Sequence, residues 1–276
     1  FIFITLLIGV IGFGLIIPAL PQLLDHMTGG DLSTAARWGG ILLFTYAVMQ
    51  FLFSPIIGGL SDRFGRRPVI LAALFAFSID FIIQGFAPNI WWFFVGRLLA
   101  GITGATFTSG MAYIADVSTP EKRAQNFGIV GAAFGMGFII GPLIGGLVSH
   151  YFGIRAPFFA AAGLAMLNWL YGYFILPESL KPENRRPFDW RRANPIGSLL
   201  HLRRYPIILS LVASLVCIYI AGQANQSTWT YITMAKFGWD ERWVGYSLAF
   251  VGLMTGIVQG VLTRILIPKL GPRNSV

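Results

Sequence analysis

Charge is what this sequence has least of. Charged residues make up 11% of its 276 positions, where an ordinary soluble domain carries about 25%. Hydrophobic residues supply 55%, and the mean hydropathy is +0.70. A soluble fold already leaves much of its surface apolar, so this excess has no interior large enough to hold it. That excludes a soluble enzyme. Cysteine is nearly absent too: Cys217 sits in an apolar run and has no internal disulfide partner. His26, His150 and His201 are scattered, so no metal-ligand spacing exists. No Ser–His–Asp set, phosphate-cradling glycine loop or pair of catalytic carboxylates occurs. The expectation is no catalytic residue, no metal and no cofactor.

What is present is length in the apolar runs. Eight stretches reach the roughly 18–25 residues that cross a bilayer as a helix. They fall near 1–24, 38–57, 68–87, 90–113, 124–149, 156–176, 206–228 and 243–267. The ten-residue strict alternation of a membrane barrel is missing. The fold expected is all-α and polytopic. The net charge of +9 would suit a nucleic-acid binder, but its distribution does not. Lys and Arg gather in short loops, twelve in those after the second, fourth and sixth spans and four in the alternate set. By the positive-inside rule, this places the amino terminus in the cytoplasm. The expected partners are the lipid bilayer, protons and a small molecule, with no nucleic acid.

The segment Pro177 to Tyr205, rich in Pro, Arg and Asn, divides the spans into two groups and is expected to be a solvated basic linker. A faint repeat follows it: Trp38 and Gly40 recur as Trp243 and Gly245, and Phe64-Gly65 with Arg67 recurs as Leu270-Gly271 with Arg273. The expected organisation is a six-helix bundle over 1–176, the linker over 177–205 and the first two helices of a second bundle over 206–276. Repeated halves around a central site are the architecture of secondary transporters. The chain opens directly in an apolar run, Phe1 to Leu24, and is expected to be a fragment.

The turn Gly58-Gly59-Leu60-Ser61-Asp62-Arg63-Phe64-Gly65-Arg66-Arg67-Pro68 combines glycines for a tight bend with a carboxylate suited to a helix N-terminus and a guanidinium fork. The fifth span carries Gly128, Gly137, Gly141, Pro142, Gly145 and Gly146. These spacings clear one face for close helix packing, and the proline bends it. Asp80 and Arg97 lie in adjacent spans, eight and nine residues from the intervening Pro88, hence at nearly equal depth. Each buried alone would be costly, so pairing or a wet cavity is expected. The choice is between a static ion pair and a site of proton exchange tuned by Arg97. Ser118-Thr119-Pro120-Glu121 reads as a capping box opening the fifth span.

The turn resembles the signature of the major facilitator superfamily, and the glycine string resembles that of its drug–proton antiporters. Gly12 to Pro18, Gly96-Arg97, Ala112 to Asp116 and Leu176 to Ser179 are similar more narrowly to the tetracycline efflux group. The resemblance implies eight of twelve transmembrane helices and export of an amphipathic drug in exchange for protons. It implies that Asp62, Arg66 and Asp116 form a switchable latch, and that the fifth span is the hinge face. Gln50 and Gln223 match positions lining the drug cavity in that group; Asn225 and Trp229 are expected beside them. An acid common in the first span is replaced by Gly9, and a histidine of the eighth by Thr255, which leaves Asp80 as the carboxylate well inside the membrane. The alternatives are a metabolite permease of the same superfamily and a non-transporting membrane sensor.

Overall fold

The computed structural model describes residues 2–104, 106–190, 193–195, 197 and 206–258. The regular elements among the described residues are helical: α1 (Ile2–Ile16), α2 (Leu20–Met27), α3 (Leu32–Phe64), α4 (Arg66–Phe86), α5 (Ile90–Gly104), α6 (Thr106–Val117), α7 (Pro120–Phe152) and α8 (Ala156–Ile175). After a short 3₁₀ turn at Pro182–Asn184 come α9 (Pro206–Phe237) and α10 (Glu241–Ile257). Among the described residues, seven helical stretches are long and apolar enough to cross a membrane; α10 occupies the place of the eighth expected span.

The helices run past the expected boundaries, because hydropathy marks only the portion inside lipid. The second expected span, 38–57, lies within α3, whose 33 residues rise about 50 Å against a hydrocarbon core of about 30 Å. The extra turns carry polar residues in a regular helix. Asp31 starts α3: Oδ1 accepts from Ser33 N–H at 3.1 Å, and Oδ2 accepts from Thr34 N–H at 3.3 Å and from the Thr34 hydroxyl. Asp240 does the same for α10, accepting from Trp243 N–H at 2.9 Å. The first expected span is instead two helices. Pro18 has no N–H to continue the ladder, and Ile17 N–H closes a tighter turn on Gly14 O at 3.2 Å.

The capping box needs correction. Thr119, not Ser118, is the N-cap of α7, and it makes no side-chain cap bond to the helix. The Ser118 hydroxyl donates back to Ile114 O at 2.5 Å and accepts from Asn126 Nδ2 at 2.7 Å. Thr119-Pro120 wins the cap because proline at the first helical position already has the required φ and no orphan N–H.

The core lies where α1, α2, α3, α4, α5 and α8 meet. Leu15, Ile16, Leu24, Leu42, Phe81, Phe93 and Phe158 are all buried there, and Phe93 meets Phe158 edge to face at 5.7 Å. Large apolar side chains such as Phe86, Trp91 and Phe174 point outward, as a lipid-facing surface requires. Polar side chains within the helices find backbone acceptors on neighbours. Ser78 Oγ donates to Ala162 O at 3.0 Å and Asn168 Nδ2 to Thr5 O at 2.9 Å. Arg155 Nη1 closes the α4 end by donating to Gly85 O at 2.8 Å and Ala87 O at 2.9 Å.

The Thr34 and Ser33 side-chain hydrogen bonds hold the Asp31 carboxyl below its ordinary pKa of 3.8. A depressed carboxylate stabilises the fold above that pKa and loses its contribution as pH falls through the folded value. Thermal melting of Asp31→Ala beside the parent should therefore show a lower Tm at pH 7, and the gap should narrow as the pH falls below about 3.8.

Candidate functional site

Asp80 on α4 and Arg97 on α5 reach the same depth, as equal spacing from Pro88 required, and both are buried at 1% and 6% exposure. They form no direct ion pair within 4.0 Å; Gln84, one turn along α4 from Asp80, stands between them. Gln84 Nε2 donates to Asp80 Oδ2 at 2.6 Å, and Arg97 Nη2 donates to Gln84 Oε1 at 2.7 Å. Asp80 Oδ1 and Arg97 Nε have no hydrogen-bond partner. The α5 backbone reaches this point through Gly96, where an added Cβ would lie 2.7 Å from Asp80 Oδ1. Sequence reasoning missed Gln84, since a lone amide in an apolar hairpin reads as packing. Its spacing of four from Asp80 was the available signal.

Asp62, Arg66 and Asp116 do come together. Arg66 Nη1 meets Asp62 Oδ1 at 2.5 Å, and Arg66 Nε donates to Asp116 Oδ2 at 3.1 Å. Ser61 Oγ accepts from Arg66 Nη1 at 3.0 Å, and Ser179 Oγ donates to Asp116 Oδ2 at 3.2 Å. Asp62 does not cap the next helix, contrary to expectation, because it occupies the last turn of α3. Glu178 takes that part: Oε1 accepts from Arg66 N–H at 2.9 Å, and Oε2 from Arg67 N–H at 3.3 Å. Gly65, at φ +106°, makes room for this carboxylate, which any Cβ would strike. The start of the expected solvated linker is thus seated on the turn. Arg186 N–H donates to Asp62 O at 3.1 Å, Phe188 lies over Gly59, and Tyr113 Oη donates to Pro177 O at 3.1 Å.

The glycines of α7 divide into two sets. On one side α7 meets α1: a Cβ at Gly141 would be 2.7 Å from Gly14 Cα and 2.9 Å from Ile11 O, Gly137 faces Val10, and Gly145 lies on Leu15 O. On the other side it meets α10. A Cβ at Gly146 would be 2.5 Å from Glu241 O, and one at Gly245 would be 2.6 Å from Pro142 O. Gly128 meets nothing within 4 Å among the described residues.

The expected cavity residues are more dispersed. Gln50 Nε2 donates to Gly104 O at 3.2 Å, tying α3 to α5. Trp229 Nε1 donates to Ser247 Oγ at 3.1 Å, tying α9 to α10. Gln223 is exposed on α9, and the side chain of Asn225 lies outside the described residues. The two groups of helices approach at Tyr231, whose phenol lies against Gly39 on α3. His150 Nδ1 and Asp240 Oδ2 lie 3.7 Å apart, and Ser149 Oγ donates to Glu241 Oε1 at 3.5 Å.

Long apolar helices, a buried acid–amide–arginine set and a smooth interhelical face define a multi-pass membrane protein built like a transporter. A family model for the Major Facilitator Superfamily matches residues 2–276, and the chain belongs to that superfamily. It is 40% identical over 272 residues to the class C tetracycline resistance protein of Escherichia coli, spanning 99% of this chain and 68% of that one. It is 36% identical over 273 residues to the class B protein of the same organism, with 98% and 66% covered. A solved structure, the human organic anion transporter TETRAN, superposes with TM-score 0.73 at 25% identity, covering 98% of this chain and 72% of that one. The chain thus spans about two thirds of the length of these curated relatives.

Substituting Gly141→Ala or Gly145→Ala should destabilise the protein by about 1–3 kcal/mol, the usual cost of overpacking. Gly128→Ala should leave the Tm of the detergent-solubilised protein unchanged, since its Cβ enters open space.

Proposed function

We infer that this chain is the first bundle and the beginning of the second in a secondary transporter that exports tetracycline or similar amphipathic drugs in exchange for protons. The observation that carries this reading is the two-sided glycine face of α7. It packs backbone to backbone on α1 at Gly141 and Gly145 and on α10 at Gly146 and Gly245, with Val10 seated at Gly137 and Ile139 at Gly252, so at the four backbone contacts the helices can rock without unpicking knobs from holes. The likeness to tetracycline resistance proteins supports the substrate class. Residues 1–176 form one bundle and 206–276 open the other, with 177–205 as a basic strap between them. The loop charges put the amino terminus in the cytoplasm of a bacterial inner membrane.

In this mechanism Asp80 exchanges the proton, and Arg97 supplies the compensating charge. Two charges in a medium that cannot solvate them must stay partnered, so proton uptake by one changes what the other can hold. The Asp62–Arg66–Asp116 cluster, with Glu178 fixing the adjacent helix start, latches the cytoplasmic end. A latch of this kind favours one state by contacts it loses in the other. Gln50, Gln223 and Trp229 line the drug path, and Asn225 is assigned to it from the sequence alone. A metabolite permease is the second reading, favoured by Gly9 and Thr255, which put no titratable group on α1 or α10 at those points.

Proteoliposomes holding the intact protein should release protons when tetracycline is added, and Asp80→Asn should reduce that flux at least tenfold. Flux that persists unchanged would remove Asp80 from the coupling role; wild-type protein without drug-dependent flux would favour the permease.

A further inference from the structure

The amide between Asp80 and Arg97 has no freedom in which end it presents. An ionised carboxylate only accepts hydrogen bonds and a guanidinium only donates them, so Gln84 must turn its NH₂ to Asp80 and its oxygen to Arg97. The distances of 2.6 and 2.7 Å agree with that assignment. Both bonds are charge-assisted, which makes them roughly twice as strong as neutral ones. The oxygen of Asp80 that Gln84 does not touch, Oδ1, is buried without a partner beside the Gly96 backbone. It is the atom free to take a proton. The remaining titratable group in electrostatic reach of the pair is Tyr46 on α3. No further charged side chain of α4, α5 or α8 is hydrogen-bonded to the set among the described residues.

We propose that Gln84 is a positioning residue whose amide makes Asp80 and Arg97 one unit, so that a proton at Asp80 Oδ1 turns Oδ2 into a neutral carbonyl acceptor, weakens the charge-assisted bond that orients the amide and loosens Arg97 towards another acceptor. An O–H bond forms at Oδ1 as one O–H bond of a hydronium ion breaks and leaves water. The set then passes from neutral to singly positive while still enclosed. The uncompensated guanidinium has to find a new acceptor towards α3, and this converts protonation into movement of α5 against α3. A direct carboxylate–guanidinium pair would resist the same proton, because both charges would be lost to each other at once. Gln84 therefore deepens the coupling role given to Asp80 above and rests on it.

The test uses the intact protein in proteoliposomes, with drug flux and proton flux measured together from pH 6 to 8. Gln84→Met, close in shape but without the amide, should lower the proton-to-drug ratio at least threefold. Gln84→Glu still accepts from Arg97 but cannot donate to an ionised Asp80; its pH profile should be displaced by about one unit or more. A structural role would lower both fluxes together and leave ratio and profile as in the parent; that result in either variant overturns the proposal. Asp80→Asn in the same assay separates the two levels. If it abolishes coupled flux while both Gln84 variants keep the parent ratio and profile, the relay is wrong and the exporter reading stands. If it too keeps the parent ratio, the coupling assignment itself has failed, and the relay with it.

Discussion

Backbone contact along α7 is the constraint from which the arrangement follows. Gly141 and Gly145 let α1 approach so closely that main-chain atoms touch, Gly137 takes the Val10 side chain, and Gly146 with Gly245 brings the backbones of α7 and α10 together. Between helices in lipid there is no water to expel, so association depends on close packing and internal hydrogen bonds. A face without side chains maximises the first. Between the two helix groups it leaves Ile139, seated on Gly252, beside the backbone contacts of Gly146 and Gly245. Tight packing and freedom to rock are usually opposed; the proposed hinge relies on backbone contact at Gly141, Gly145, Gly146 and Gly245 in place of interdigitation there.

Polar groups in the span obey a second constraint, that each must be satisfied from within. Ser78 and Asn168 reach carbonyls on other helices, and Arg155 closes the exposed end of α4. Asn168 Oδ1, Asp25 Oδ1, Arg67 Nε and Arg242 Nε also lack a partner; Asp80 and Arg97 differ in being two buried charges joined through one amide. Each is charged and each keeps one atom without a partner, with the Gln84 amide as their common ground. Stability alone would favour apolar residues at such positions. Retaining two enclosed charges with incomplete satisfaction is what the proposed proton exchange asks of this site.

At the cytoplasmic end, charge is concentrated rather than avoided. One arginine, Arg66, is held by Asp62, Asp116 and Ser61, while Glu178 caps the helix that begins at Arg66. Glu178 lies more than a hundred positions further along the chain. The start of the segment after α8 is therefore seated on the turn, and the end of α8 is coupled to the start of α4.

The spans, the depth of Asp80 and Arg97, the tight turn at Gly65 and the small-residue face of α7 were all legible in the sequence. Each depends on local spacing or on hydropathy over one helix length, and both are properties of a short stretch of chain. Three things were not: that Gln84 stands between the charges, that Glu178 rather than Asp62 caps α4, and that Gly128 lies apart from the packed glycines. All three depend on which residue of another helix, or which rotamer, arrives at a point in space. The apolar pattern fixes which segments enter the membrane, because transfer free energy adds along the chain. Partners across helices were decided by tertiary packing alone, because contacts a few ångströms long depend on helix rotation and register, which that sum leaves free.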